Sequence, residues 1–156
     1  RILVKTPAEW QGLRPLHQLI YDRLSREDWL LRGRPTLSRV RRGVKGLLKD
    51  EYLLSGDYES ATDTLSVEVA ECLLETMREK SRNIPDTIWE ASLKSLRPII
   101  TGGEYDFRLR RGQMMGSLLS FPLLCLQNYI ATTYILGKRP MLINGDDLAT
   151  RVTKRE

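Results

Sequence analysis

Apolar residues recur at helical spacing through much of the chain. After Pro15, the residues Leu16, Leu19, Ile20, Leu24 and Leu31 mark one helix, which Gly33 and Pro35 bring to an end. A basic amphipathic helix is predicted from about Thr36 to Leu48. Leu37, Val40, Val44, Leu47 and Leu48 share one of its faces, and Arg39, Arg42, Lys45 and Lys49 the other. The next helix is predicted from about Leu65 to Lys80, with Leu65, Val69, Cys72, Leu73 and Met77 as its buried stripe. Its polar face carries Glu68, Glu71, Glu75 and Glu79. Asn83-Ile84-Pro85-Asp86 breaks that helix, and a short one follows from Thr87 to about Leu96, closed by Pro98.

Strand signals punctuate these helices. Arg1-Ile2-Leu3-Val4-Lys5 reads as a strand delivering two cations, before a turn or short helix at Thr6-Pro7-Ala8. Tyr52-Leu53-Leu54 is a short apolar run. Ile99-Ile100-Thr101, then Gly102-Gly103, then Tyr105, Phe107 and Leu109 in alternation describe a hairpin. From Gly112 to Gly137 no side chain is charged, so a membrane span has to be weighed. Gln113, Ser117, Ser120, Gln127, Asn128 and Pro122 argue instead for a helix in a protein core, since unpartnered polar groups are costly in lipid. Met141 to Val152 then reads as a β-hairpin. Asn144-Gly145 signals a type I′ turn, with Asp146 and Asp147 at the bend. Strands and helices in this order fit an α+β fold, an antiparallel sheet with helices packed on one face.

Composition narrows the chemistry. The 156 residues suffice for one domain with a real core, and a net charge of +5 favours an anionic partner such as nucleic acid. The cations crowd the first third of the chain, from Arg23 to Lys49, although such a run is also the mark of a solvated helix face. Cys72 and Cys125 each fall in an apolar helical pattern and are expected to be small buried hydrophobes. His17, the single histidine, excludes a His-rich metal motif and argues against a Ser-His-Asp triad. No signal peptide is visible. With Arg1 first and Glu156 last, the chain is expected to be a segment of a longer polypeptide.

Two adjacent carboxylates about 4 Å apart repel by roughly 4 kcal/mol at an effective dielectric near 20, a cost met by solvent exposure or by a bound cation. Gly145-Asp146-Asp147 alone reads as an ordinary acidic turn. A second acidic stretch alters that balance. In Ser55-Gly56-Asp57-Tyr58-Glu59-Ser60-Ala61-Thr62-Asp63, one Asp follows the apolar run and another precedes a helix. This is a ligand-plus-substrate arrangement, with helix capping the alternative for Asp63.

Together these motifs resemble the palm of a viral RNA-dependent RNA polymerase. Ser55 through Asp63, Gly112-Gln113-Met114-Met115-Gly116-Ser117-Leu118-Leu119-Ser120-Phe121-Pro122 and Ile143-Asn144-Gly145-Asp146-Asp147 resemble the ourmia-like (botourmiavirus) group in particular. That group is related to narnaviruses and leviviruses. The resemblance implies an α+β right-hand palm with part of the fingers and no thumb. It implies four portions: residues 1–49 a basic, helical, fingers-type segment, 50–82 palm with the first acidic motif, 83–111 a helix-and-hairpin insertion, and 112–156 palm with the glycine-serine loop, helix and acidic hairpin.

The activity so implied is RNA-templated RNA synthesis in viral (mycovirus-type) genome replication, with the isolated segment inactive. Asp57, Asp146 and Asp147 would be catalytic and would hold two Mg²⁺, or Mn²⁺ in their place. Asp63, Asn128 and Ser120 would read the sugar hydroxyls, and Gly116-Ser117 would gate template and nucleotide. Asn128 has the alternative of a buried amide satisfied by neighbouring backbone. Arg1 and Lys5 would hold the incoming triphosphate, and Arg39 and Arg42 would touch template phosphate. The implied partners are RNA template, product strand and NTPs, in the host cytoplasm, with no membrane span and an open oligomeric state. Competing readings are a noncatalytic RNA-binding module with a polymerase-like palm, and a reverse transcriptase or two-metal nuclease.

Overall fold

A computed structural model describes residues 6–46, 48–102 and 104–154. The predicted strand Arg1–Lys5, Leu47 of the basic helix and Gly103 of the hairpin turn lie outside the described residues. The chain divides into two compact units. One combines Arg1–Leu19 with Ser60–Leu123, the other Ile20–Glu59 with Leu124–Glu156.

The first unit is built on two helices, α4 (Val67–Lys80) and α5 (Asp86–Leu96), with a 3₁₀ segment Ala8–Leu13 against α5. The hydroxyl of Ser66 accepts the amide of Val69 at 3.2 Å and so caps α4. The buried face of α4 is Val67, Ala70 and Leu74. This corrects the predicted stripe: Val69 and Cys72 are exposed, because α5 covers the face carrying Val67, Ala70 and Leu74 instead. Arg97, just past α5, reaches back to α4, with Nε 2.5 Å and Nη2 2.8 Å from the Glu71 carboxylate and a further bond of 3.1 Å to Glu68. The Glu68 carboxyl is lowered to about 2, chiefly because the Ser66 hydroxyl donates to it and then because its own backbone amide and Arg97 do. Strands β2 (Ile99–Ile100) and β3 (Phe107–Arg108) pair antiparallel, as the alternation predicts, over only two residues each.

The second unit holds a three-stranded antiparallel sheet in the order β1-β5-β4, where β1 is Glu51–Gly56, β4 is Met141–Asn144 and β5 is Asp147–Thr153. Leu30, Cys125, Met141 and Ile143 form its core, flanked by Tyr21, Leu24, Trp29, Tyr129 and Leu148. Here the first helix departs from expectation. Helix α1 (Arg14–Leu24) stops about two turns short of Leu31, and the chain through Trp29–Leu31 runs parallel alongside β4. Ile143 donates to the Trp29 carbonyl and accepts from the Leu31 amide, both at 2.8 Å. The backbone donors and acceptors of β4 would otherwise be left unpaired on that side, so the segment extends. The basic helix, α2 (Leu37–Gly43), is capped by Thr36 and ends well before Leu48.

Helix α6 (Ser120–Leu136) is the charge-free one. Its start is deeply buried, while Tyr134 and Ile135 near its end are exposed. No helix among the described residues is long and apolar enough to cross a membrane.

Candidate active site

The β1–β5 register decides where the acids go. Gly56 stands opposite Leu148 at the end of that ladder, and Asn144 opposite Asp147 at the end of the β4–β5 ladder. Asp57 follows Gly56 and Asp147 precedes Leu148, so both adjoin the last rung of the β1–β5 ladder, with Asp146 in the turn. Asp57 and Asp147 are exposed, Asp146 half-buried. None of the three carboxylates has an ion pair or hydrogen bond among the described residues.

The turn itself corrects the predicted type. Its two central residues are Gly145 and Asp146, one position later than expected. Gly145 alone has a positive φ, +67°. Positive φ at the first central residue only is what a type II′ turn requires, rather than a type I′, and glycine supplies it without a Cβ clash.

Beneath the turn lies Asn128 of α6, 2% exposed. Its Nδ2 donates to the carbonyls of Gly145 (3.0 Å) and Asp146 (3.1 Å). Its Oδ1 accepts the hydroxyls of Thr132 (3.2 Å) and Tyr58 (3.4 Å). Both donors and both acceptor positions of the amide are therefore used, the arrangement expected of an amide satisfied by neighbouring groups. The Gly145 amide donates to Cys125 Sγ at 3.2 Å. Burial pushes the Cys125 thiol up to about 11, and the Asp146 charge adds to the rise. Sequence reasoning singled out neither Tyr58 nor Thr132. Thr132 stands one helical turn from Asn128, a spacing that could have found it; the Cys125 contact left no signal.

The other candidates lie in the first unit. Ser60, at φ +55° and ψ +43°, is the described non-glycine residue in the left-handed region, and it turns the chain into the short helix α3 (Ala61–Thr64) that carries Asp63. Asp63 is exposed and makes no side-chain hydrogen bond among the described residues, the cap of α4 being Ser66 instead. The glycine-serine loop is strapped against α3: Gly112 donates to Leu65 O at 2.9 Å and Gln113 to Thr62 O at 2.5 Å. A Cβ on Gly112 would sit 2.5 Å from the Thr62 oxygen and 3.0 Å from Asp63 Cα, so only glycine fits there. Asp63 and this loop are thus brought together. Gly116 is exposed, with its carbonyl accepting the Thr6 hydroxyl at 2.9 Å, and Ser117 is half-buried. Ser120 is buried, its hydroxyl donating to Gln113 Oε1 at 3.2 Å. The space beside Gln113, Ser117 and Ser120 amounts to about 10 Å³, room for about one water. Gln113 Nε2 is buried without a partner next to it. Arg1 and Lys5 lie outside the described residues.

Whether these residues suit divalent cations is a question of donor chemistry. Asp57, Asp146 and Asp147 supply hard oxygen donors that no cation among the described residues neutralises, which matches what Mg²⁺ takes. Among the described residues, however, no three His, Cys, Asp or Glu side chains converge closely enough to form a metal-holding group. The donors fit in kind and share one end of the sheet, without being closed around a common point.

The chain is 30% identical, over 141 aligned positions, to the RNA-dependent RNA polymerase of Ourmia melon virus. That similarity takes in 74% of this chain and 16% of the length of the relative. No protein-family model matches the chain.

Proposed function

We propose that this chain is the palm and adjoining fingers portion of a viral RNA-directed RNA polymerase, transferring nucleotides from NTPs to an RNA 3′ end. The observation that carries the reading is the β1–β5 register, which pairs Gly56 with Leu148 and so leaves Asp57 and Asp147 next to the same last rung, with Asp146 in the adjoining turn. The similarity to the Ourmia melon virus polymerase supports it independently.

Nucleotide addition is an in-line displacement in which the RNA 3′-oxygen attacks the α-phosphorus and pyrophosphate leaves, so catalysis consists largely of positioning and charge neutralisation. Asp57 and Asp146 are the principal ligands in this reading, with Asp147 beside them, and two bound Mg²⁺ would supply the charge neutralisation for the attacking and departing oxygens. Asn128 holds the backbone of the turn, so the two acids keep their position without support from their own side chains. For Asn128 to read a sugar hydroxyl it would exchange one of its present partners. The sugar-reading roles of Asp63 and Ser120, the gating role of Gly116-Ser117 and the triphosphate roles of Arg1 and Lys5 rest on the order of motifs in the sequence. Viral RNA replication in the host cytoplasm follows from the same reading.

In the full-length protein, Asp146→Ala should lower Mg²⁺-dependent incorporation by ~10²-fold or more while RNA binding persists. Undiminished synthesis would defeat the assignment. A noncatalytic RNA-binding module is the second reading, favoured by the open arrangement of the carboxylates. Wild-type protein that binds RNA but incorporates no nucleotide at any Mg²⁺ or Mn²⁺ concentration would select it.

A further inference from the structure

At the opposite end of β4 from the acidic turn, the second unit contains a cleft of about 390 Å³. That is within the ~300–1,000 Å³ of sites that take a nucleotide-sized ligand. Met141, the first residue of β4, lines it, whereas Gly145 and Asp146 follow the last. At about 3.3 Å per strand residue the two places are roughly 13 Å apart.

The walls combine two chemistries. Trp29 and Tyr129 stack with ring centroids 4.3 Å apart and planes at 18°, and both are half-buried. Arg39 and Arg42, three residues apart on α2 and so on one face of it, also line the cleft, together with Arg139 and Asp28. Arg39 Nη2 donates to the carbonyls of Asp28 (2.9 Å) and Leu30 (3.2 Å). Carbonyl acceptors fix the guanidinium in place without cancelling its charge. The Arg42 side chain is exposed and makes no hydrogen bond among the described residues, and neither Arg39 nor Arg42 is paired with a carboxylate there. Gly43 brings the helix this close: a Cβ at that position would fall 2.3 Å from the Leu142 side chain.

We propose that this cleft binds single-stranded RNA, with one base extending the Trp29–Tyr129 stack and the adjoining phosphate held by Arg39 and Arg42. Stacked aromatic rings beside fixed cations are the usual means of gripping a single strand without reading its sequence, since every base has a π face. An acidic peptide would use the arginines but leave the rings idle. The single carboxylate among the lining side chains, Asp28, can accept from a base's exocyclic amine. The site is separate from the acidic turn and needs no metal.

The test uses the full-length protein in EDTA without NTPs, cross-linked by ultraviolet light to a decamer of 4-thiouridine RNA and mapped by mass spectrometry. Adducts are expected on the peptides containing Trp29 or Tyr129. Arg42→Gln should lower their yield about tenfold at fixed RNA, and Arg42→Lys should restore most of it. In Arg42→Gln the log–log salt slope of binding should fall by roughly 0.7, the amount due to one phosphate that is no longer neutralised. Arg42 is exposed, so thermal melts of both variants should match wild type. Adducts confined to other peptides, or an unchanged yield in Arg42→Gln, would overturn the proposal. Competition by UMP at concentrations equal to the RNA would assign the cleft to free nucleotides and overturn the strand. Because these readouts involve neither metal nor chemistry, they stand or fall apart from the polymerase reading.

Discussion

The two ends of β4 put opposite charges on one scaffold, and the structure supports them in different ways. At the start of the strand, a guanidinium is fixed by backbone carbonyls beside a stacked ring pair. At its end, Asp146 and Asp147, without side-chain partners among the described residues, stand on a turn whose backbone is held from below by one buried amide. The basic end is arranged at the level of side chains, whereas the acidic end fixes the backbone and leaves the side chains free. In the proposed roles, carboxylates that gather around cations would gain from the second arrangement, and a cleft that grips a strand would gain from the first.

Both ends depend on the strand between them, which gives the largest test. Ile143 is fully buried, and its backbone joins β4 to the Trp29–Leu31 segment. Ile143→Ala should cost about 2–5 kcal/mol, read by urea unfolding, and should weaken both ends together. A loss below about 1 kcal/mol would mean that the ends are supported separately.

Asn128→Ala separates them. It leaves the Gly145 and Asp146 carbonyls and two hydroxyls without their partner, at about 1–3 kcal/mol. Amide exchange at residues 144–147 should accelerate, while amide exchange at residues 39–43, reporting the other end, stays unchanged. Equal disturbance at both ends would show that the amide braces the sheet and not the turn alone.

The smallest effect is chemical. Cys72 is exposed and should react readily with a thiol reagent at pH 8, while Cys125, buried and shifted to about 11, should remain largely protonated and silent. In Asn128→Ala the Cys125 rate should rise several-fold as the turn opens, because its sulfur accepts the Gly145 amide. An unchanged rate would mean that the turn stays closed without Asn128.

Much of this arrangement is legible in the sequence wherever the controlling contacts are local. The Pro85 and Pro98 boundaries of α5, the short hairpin after Ile99 and the hairpin around Gly145 all rest on neighbours a few positions away. Failures occur where a distant partner decides. Leu31 has helical spacing with Leu24 but lies in an extended segment, because β4, remote in sequence, has backbone groups to pair. Cys72 fits an apolar helical pattern and is exposed, because the neighbouring elements cover a different face of α4. The Trp29–Tyr129 stack has no sequence signature at all, its members being separated by most of the chain.

By itself, then, the sequence determined the kinds of elements, their order and the two acidic motifs, because periodicity, caps and turn residues act over a few residues. Only the tertiary structure decided that Asp57 and Asp147 adjoin the last rung of one ladder, that Asn128 is spent on the turn, and that Arg42 shares a cleft with stacked rings. Those outcomes depend on strand register and helix rotation, which are fixed by burying side chains against partners tens of residues away. A pattern with a period of 2 or 3.6 specifies a face, but not what will cover it.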